Sequence, residues 1–273
     1  VLESYFKTGK SFCYSTVCVR GAGEPIAGFG GVASGPRPLV AFVEKLSCIL
    51  NSRSGKAMRP IDAADVLCAI GELVVSGNVR RSALILIGDP WDKDFLRAKR
   101  WDLGNIPNQR AMANFSVVCD DVDDLHPLFW KTYEVGEAFG IINRTNIQTY
   151  GRMGEKVRDT AFLTNPCGEA TLEGGPKSAE SCNLLELPLP RLDDEYEFIE
   201  AARLMFRWGK RVTDEKYHWE GCEEIVKRNR RVGVGITGCL RSPLFTPKSL
   251  DRAYAAILDE DRKYSQELGI PES

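Results

Sequence analysis

The chain reads as an α/β protein with mainly parallel strand pairing, because short apolar runs alternate along it with longer stretches of helical apolar spacing. The strand-length runs are Val79 to Ile87, Phe115 to Cys119, Gly140 to Asn143 and Arg231 to Thr237. Between them lie segments with apolar residues three and four apart, the longest from Glu195 to about His218. No internal repeat and no low-complexity tract interrupts this order.

Pro36 to about Leu50 carries Leu39, Phe42, Val43, Leu46, Ile49 and Leu50 at helical spacing. Asp62 suits an N-cap, with Asp65 at the capping-box distance, for a helix running to about Val75. Ser76-Gly77 closes that helix, and the strand from Val79 follows. Asp92 to Trp101 reads as a short, charged surface helix, and Asp124 to Gly136 as an amphipathic helix ending at glycine. A polar loop then runs from Asn143 through Arg158. Phe162 to Leu172 forms a further segment, which Gly174-Gly175-Pro176 breaks. The long helix from Glu195 shows Phe198, Ile199, Ala202, Met205 and Phe206 on one face. Leu250 to Leu268 reads as a helix capped by Gly269.

The chain has 273 residues, 43% hydrophobic and 27% charged, enough for one large core or two smaller ones. A formal charge of −2 supplies no field for nucleic acid or an anionic membrane, so neither is expected as a partner. Lys227-Arg228-Asn229-Arg230-Arg231 is the one basic run, expected to be a solvated helix end. Nine scattered cysteines without a CxxC pair, and only His126 and His218, argue against a zinc site and against a disulfide framework. They fit a reducing, cytoplasmic setting. No stretch approaches a membrane helix and no signal peptide opens the chain. The chain begins at Val1 without methionine and in mid-pattern, and is expected to be an internal piece of a longer protein.

Asn165-Pro166-Cys167-Gly168-Glu169 is the segment richest in chemistry. A thiol can relay electrons and hydrogen atoms, and a carboxylate two residues away can serve as a general base. If the segment is extended, Asn165, Cys167 and Glu169 face one side. Gly168 allows a ligand close to the backbone, and Pro166 stiffens the approach. A buried cysteine in a Pro-Gly turn is the alternative reading.

Fifteen residues after Cys167 comes Ser181-Cys182-Asn183-Leu184-Leu185-Glu186. Upstream lies Ser76-Gly77-Asn78-Val79-Arg80-Arg81-Ser82-Ala83. With Arg20-Gly21-Ala22-Gly23, the glycine-rich Gly28 to Pro36, Tyr150-Gly151-Arg152 and Glu267 to Pro271, these resemble the large catalytic chain of ribonucleotide reductases. The resemblance is to the adenosylcobalamin-dependent (class II) branch and its monomeric ribonucleoside-triphosphate reductases, and it runs from about Val19 to the last residue.

That resemblance implies a ten-stranded α/β barrel with a central finger loop carrying the radical cysteine. Residues 1–273 would be the central portion of the barrel domain, with the N- and C-terminal parts of the parent outside it. It implies reduction of ribonucleotides, expected to be triphosphates, to 2′-deoxyribonucleotides for DNA synthesis. Cys167 would be the thiyl carrier, Glu169 the base for the 3′-hydroxyl proton, and Asn165 a hydrogen-bond partner of the sugar. Cys182 would be one of a reducing thiol pair whose partner lies upstream. None of Cys13, Cys18, Cys48, Cys68 or Cys119 sits in a matching motif.

The connection from Glu173 to Cys182 is a few residues longer than the family pattern. Gly77, Asn78, Arg80, Arg81 and Ser82 match a loop that reads an effector nucleotide and moves over the substrate base. A structural strand edge with solvated arginines is the alternative there. In Ala113-Asn114-Phe115-Ser116-Val117, Phe115 stands where the family usually has a second asparagine.

Adenosylcobalamin is the implied cofactor, bound mainly by segments outside this chain. A ribonucleotide substrate, a deoxynucleotide effector and a thioredoxin-type reductant are the implied partners. The isolated segment is expected to be inactive. Two alternatives stay open: a class I large subunit fed by a separate radical-generating subunit, and a non-catalytic nucleotide-binding fragment of the same barrel.

Overall fold

A computed structural model describes residues 1–28, 30–77, 82–135, 139–151 and 157–273. The chain forms two compact units, Val1–Thr149 and Tyr150–Ser273.

The first unit opens with helices α1 (Arg37–Ser52) and α2 (Pro60–Val74), which pack through Leu46, Leu50 and Val66. α2 starts two residues before the expected cap. Pro60 has its φ fixed near the helical value and no N–H to satisfy, so it occupies the first turn, and Asp62 becomes the third helical residue. The Asp62 carboxylate accepts the backbone N–H of Arg59 at 2.9 Å. Hydrogen bonding from the Arg59 guanidinium, working against burial, holds that carboxylate below its usual range. Asp65 instead accepts from Nε and Nη2 of Arg110, at 2.6 and 2.7 Å.

Strands β1 (Leu84–Gly88), β2 (Ala113–Cys119) and β3 (Gly140–Asn143) form a parallel sheet in that order. Parallel neighbours need crossovers, supplied by α3 (Lys93–Leu96) and α4 (Pro127–Glu134); α5 (Arg144–Thr149) follows β3. Asp92 caps α3 by accepting from the N–H groups of Asp94 and Phe95, both at 3.0 Å. The expected charged surface helix is therefore a single turn that buries Phe95 and Leu96. The helix expected from Asp124 starts at Pro127 instead, with His126 Nδ1 accepting the Leu128 N–H at 2.9 Å. Phe95, Phe115 and Phe139 form an aromatic triangle with ring centres 5.2 to 5.9 Å apart. Phe115 is thus a core residue, buried in the first unit.

The second unit contains two small antiparallel hairpins and one parallel pair. The hairpins are β4 (Leu163–Thr164) with β5 (Thr171–Leu172), and β6 (Gly174–Gly175) with β7 (Ser178–Ala179). β8 (Leu184–Pro188) lies parallel to β9 (Gly233–Thr237). The crossover between them is α6 (Glu195–Val212) and α7 (Glu220–Asn229), and α8 (Pro247–Leu268) follows. Parallel pairing therefore holds for β1–β3 and β8–β9 but not for β4–β7.

α6 ends six residues before His218. The Thr213 hydroxyl donates to the Lys210 carbonyl at 2.6 Å, and a turn separates α6 from α7, a helix the periodicity did not reveal. Gly209 lets α6 lie flat on the β8–β9 sheet, since a Cβ there would run into Leu185 and Val232. α8 begins with Thr246 accepting the Ser249 N–H at 3.2 Å and ends at Gly269 in the left-handed region, φ 66°.

Lys210, fully buried, ties α6 to α8 through Asp261 at 2.7 Å and also donates to the Pro271 carbonyl and the Ser273 hydroxyl. Burial pushes its ammonium below the usual lysine value, against the pull of Asp261. Lys210→Met should lower the unfolding stability of this unit by about 3 kcal/mol, because Asp261 stays buried without its cation. Fluorescence of Trp208 and Trp219 during urea unfolding measures this. A midpoint equal to the parent's would show that Ser265 and the Ser273 N–H suffice for Asp261.

Candidate active site

The Asn165–Glu169 segment is the tip of the β4–β5 hairpin rather than an extended strand. Leu163 pairs with Leu172 and Thr164 with Thr171. The tip is closed by Asn165 N–H to the Ala170 carbonyl at 3.2 Å and Gly168 N–H to the Asn165 carbonyl at 3.0 Å. Gly168 holds φ 83°, a conformation that an L side chain would strain to adopt. Cys167 is exposed on this turn, and Asn165 is 6% exposed beneath it. A turn thus replaces strand alternation as the means of gathering these residues.

Asn165 is the hub. Its Oδ1 accepts the Ala170 N–H at 3.1 Å. Its Nδ2 donates both to Glu169 Oε1 and to Cys182 Sγ, the latter at 3.4 Å. One amide therefore joins the carboxylate and the second thiol, using both hydrogens that an amide nitrogen owns. Crowding around the Cys182 sulfur and then the Glu169 carboxylate push that thiol above its ordinary value, partly offset by the Asn165 hydrogen bond. The structure brings together Asn165, Glu169 and Cys182, with Cys167 on the same hairpin tip.

Between Glu173 and Cys182 the chain forms the β6–β7 hairpin, closed at its base by Glu180 N–H to the Glu173 carbonyl at 2.9 Å. A cavity of about 370 Å³ is lined by Glu169, Cys182, Asn183, Arg231, Tyr254 and Asp261, among others. That volume is within the range of small-molecule sites, about 300–1,000 Å³.

Arg231 corrects the reading of the basic run as a solvated helix end. Lys227 and Arg228 do lie on α7 and reach Glu223 and Glu173, but Arg230 and Arg231 are buried. Arg230 Nη1 donates to the Thr213 carbonyl at 3.0 Å. Arg231 pairs with Asp159 and Glu180. Composition gave no sign of this, because both acids are remote in sequence.

In the first unit, Gly77 is buried in the turn after α2, and Ser82 is half-buried before β1. Asn78, Arg80 and Arg81 lie outside the described residues. The Ser76 hydroxyl donates to that of Ser34 at 2.9 Å, joining this turn to the glycine-rich stretch. That stretch folds back on itself through Gly23 N–H to the Ala33 carbonyl at 2.9 Å and Ala33 N–H to the Glu24 carbonyl at 2.8 Å. Cys68, buried on α2, has its thiol pushed up to about 11 by burial, consistent with an inert core cysteine. Among the described residues, no helix is long and apolar enough to cross a membrane.

A hairpin-borne thiol, a carboxylate two residues on and a second thiol bonded to the same asparagine define a site suited to thiol redox chemistry on an α/β frame. Residues 127–244 match the family model described as "Ribonucleotide reductase, barrel domain". Over those residues the chain carries a ribonucleotide reductase barrel-domain segment. It is 33% identical over 286 residues to an adenosylcobalamin-dependent ribonucleoside-triphosphate reductase of Lactobacillus gasseri, an alignment covering 92% of this chain and 38% of that protein. The Lactobacillus leichmannii protein of the same name is 33% identical over 291 residues, covering 93% of this chain and 39% of the relative. The Levilactobacillus brevis one is 32% identical over 292 residues. The chain thus spans less than two fifths of the length of these relatives.

Proposed function

We propose that the full protein containing this chain reduces ribonucleoside triphosphates to 2′-deoxyribonucleotides, with residues 1–273 as the central portion of a ten-stranded catalytic barrel whose finger loop is the β4–β5 hairpin. The observation that carries this is the Asn165 amide bonded to both Glu169 and Cys182, on the hairpin whose tip exposes Cys167. The names of the relatives favour this reading over a class I large subunit and over a non-catalytic fragment.

The exposed Cys167 thiol, beside a Gly168 with open space where a Cβ would stand, suits a group that removes a hydrogen atom from sulfur. When bound, adenosylcobalamin supplies that abstraction, which no side chain performs. Cys167, as a thiyl, takes the 3′ hydrogen atom of the ribose. Glu169 accepts the 3′-hydroxyl proton, and Asn165 exchanges one of its two present hydrogen bonds, to Glu169 or Cys182, for one to a sugar hydroxyl. The 2′-hydroxyl leaves as water. Cys182 and a partner thiol supply two electrons and become a disulfide, and the 3′ hydrogen returns from Cys167. The net change is ribonucleotide plus dithiol to deoxyribonucleotide, disulfide and water. A thioredoxin-type protein restores the dithiol in the cytoplasm. A deoxynucleotide effector is bound by Gly77, Asn78, Arg80, Arg81 and Ser82.

The test is turnover of the full-length protein with a ribonucleoside triphosphate, a dithiol and adenosylcobalamin, and no second protein. Deoxynucleotide product is expected; a requirement for a metal-containing subunit would overturn the branch assigned.

Cys182→Ser should leave Cys167 able to enter the radical step but block net reduction, because the deoxygenated intermediate meets no thiol pair. Product per enzyme in a single turnover, measured beside thermal stability, checks this. Normal multiple turnover with dithiol would remove Cys182 from the reductant role.

A further inference from the structure

Arg231 sits where three segments of the second unit converge. Its Nη1 donates to Asp159 Oδ2 at 2.8 Å and its Nη2 to Asp159 Oδ1. Its Nε reaches both oxygens of Glu180 at 2.8 Å. All three side chains are at most 8% exposed. Asp159 stands before β4 and fixes the chain there by accepting the Ala161 N–H at 3.0 Å. Glu180 stands two residues before Cys182, and Arg231 two before β9. The Arg231 carbonyl accepts from Asn183 Nδ2 at 3.4 Å, and the Asn183 carbonyl accepts the Gly233 N–H at 2.9 Å.

The geometry points to Arg231 as a positioning residue: through Asp159 and Glu180 it clasps the Cys182 segment to the Asn165–Glu169 hairpin, so that Sγ of Cys182 stays within reach of the Asn165 amide.

A buried ion triad is a poor device for stability alone, since desolvating three charges offsets most of their attraction. What a planar guanidinium forked between two carboxylates does supply is one fixed geometry. The Glu180 carboxylate also anchors the hairpin that leads to it. Its Oε2 accepts the Glu173 N–H at 2.7 Å, closing the β6–β7 hairpin beside the clasp. The clasp itself stands on the contacts of this chain; its importance for catalysis rests on the reductase reading above.

Arg231→Lys in the full-length protein keeps every charge and loses the fork. Glu180→Ala is a second variant, removing the acceptor and releasing only the Cys182 arm. The readout is the pH dependence of iodoacetamide alkylation at Cys182, assigned by peptide mapping. The groups facing this sulfur are Asn165, Glu169 and Cys167 from the hairpin, and Arg231 and Asp261 also line its cavity. Cys222, buried on α7, reports whether the unit stays folded.

In folded variants the alkylation midpoint is expected to fall toward that of an ordinary thiol, about 8.5. Single-turnover product should drop more than about tenfold at unchanged nucleotide KM. A midpoint that does not move in either folded variant overturns the proposal. So does a Cys222 that becomes reactive together with Cys182 in both, which would make the triad a purely structural element. If the midpoint moves while the unmutated protein makes no deoxynucleotide, the reductase reading fails and the clasp stands.

Discussion

Cys167→Ser is expected to abolish deoxynucleotide formation in the full-length protein while leaving nucleotide binding nearly unchanged. Serine keeps the size and polarity of cysteine, but its O–H bond is too strong for a hydrogen atom to be removed and returned reversibly. Cys167 is exposed on the hairpin turn, whose shape depends on Gly168 and on the backbone bonds of Asn165. The substitution should therefore alter stability by no more than about 0.5 kcal/mol. That separates loss of chemistry from loss of fold. Product formation and nucleotide affinity measured on the same preparation decide it, and activity within about tenfold of the parent, or about 1.4 kcal/mol of barrier, would remove Cys167 from the radical role.

The second large effect belongs to Glu169. Glu169→Gln should slow the chemical step by roughly 10²- to 10⁴-fold, the range attributed to a positioned general base, with little change in KM. Glutamine preserves the shape and can still accept the Asn165 hydrogen bond through its amide oxygen, so the hub survives. Only the capacity to take a proton is lost. Pre-steady-state rates at saturating nucleotide measure this, and a raised KM at unchanged kcat would make Glu169 a binding residue instead. The same variant should lower the Cys182 thiol toward its ordinary value, since the carboxylate beside it is one cause of the upward displacement.

Cys167 and Glu169 were legible because their residue types and spacing are local. Cys182 needed the motif around it, since the length of the Glu173–Cys182 connection argued against its placement. Only the structure shows that this connection folds as the β6–β7 hairpin. Asn165 was legible as a residue of the site but not as the bridge between carboxylate and thiol, because a hydrogen bond across 17 positions leaves no periodic trace. The extended geometry expected for the segment was replaced by a turn, for which Pro166 and Gly168 were the signal. Phe115 was visible as a departure from the family pattern, but its place in an aromatic triangle with Phe95 and Phe139 was not.

The sequence by itself determined the α/β class, the presence and parallel pairing of β1–β3, helix α1, the C-terminal end of α8 at Gly269, and the thiol, carboxylate and amide of the candidate site. Each follows from local periodicity, from caps or from a short motif, and so from interactions within a few residues. The tertiary structure alone decided that Arg231 is buried, because its partners Asp159 and Glu180 lie 72 and 51 residues away. It also decided where α6 stops, through the fit of Gly209 on the β8–β9 sheet and the Lys210–Asp261 tie to α8. Charge in a sequence reads as solvated until a folded partner desolvates it, and that partner is supplied by chain topology rather than by neighbours.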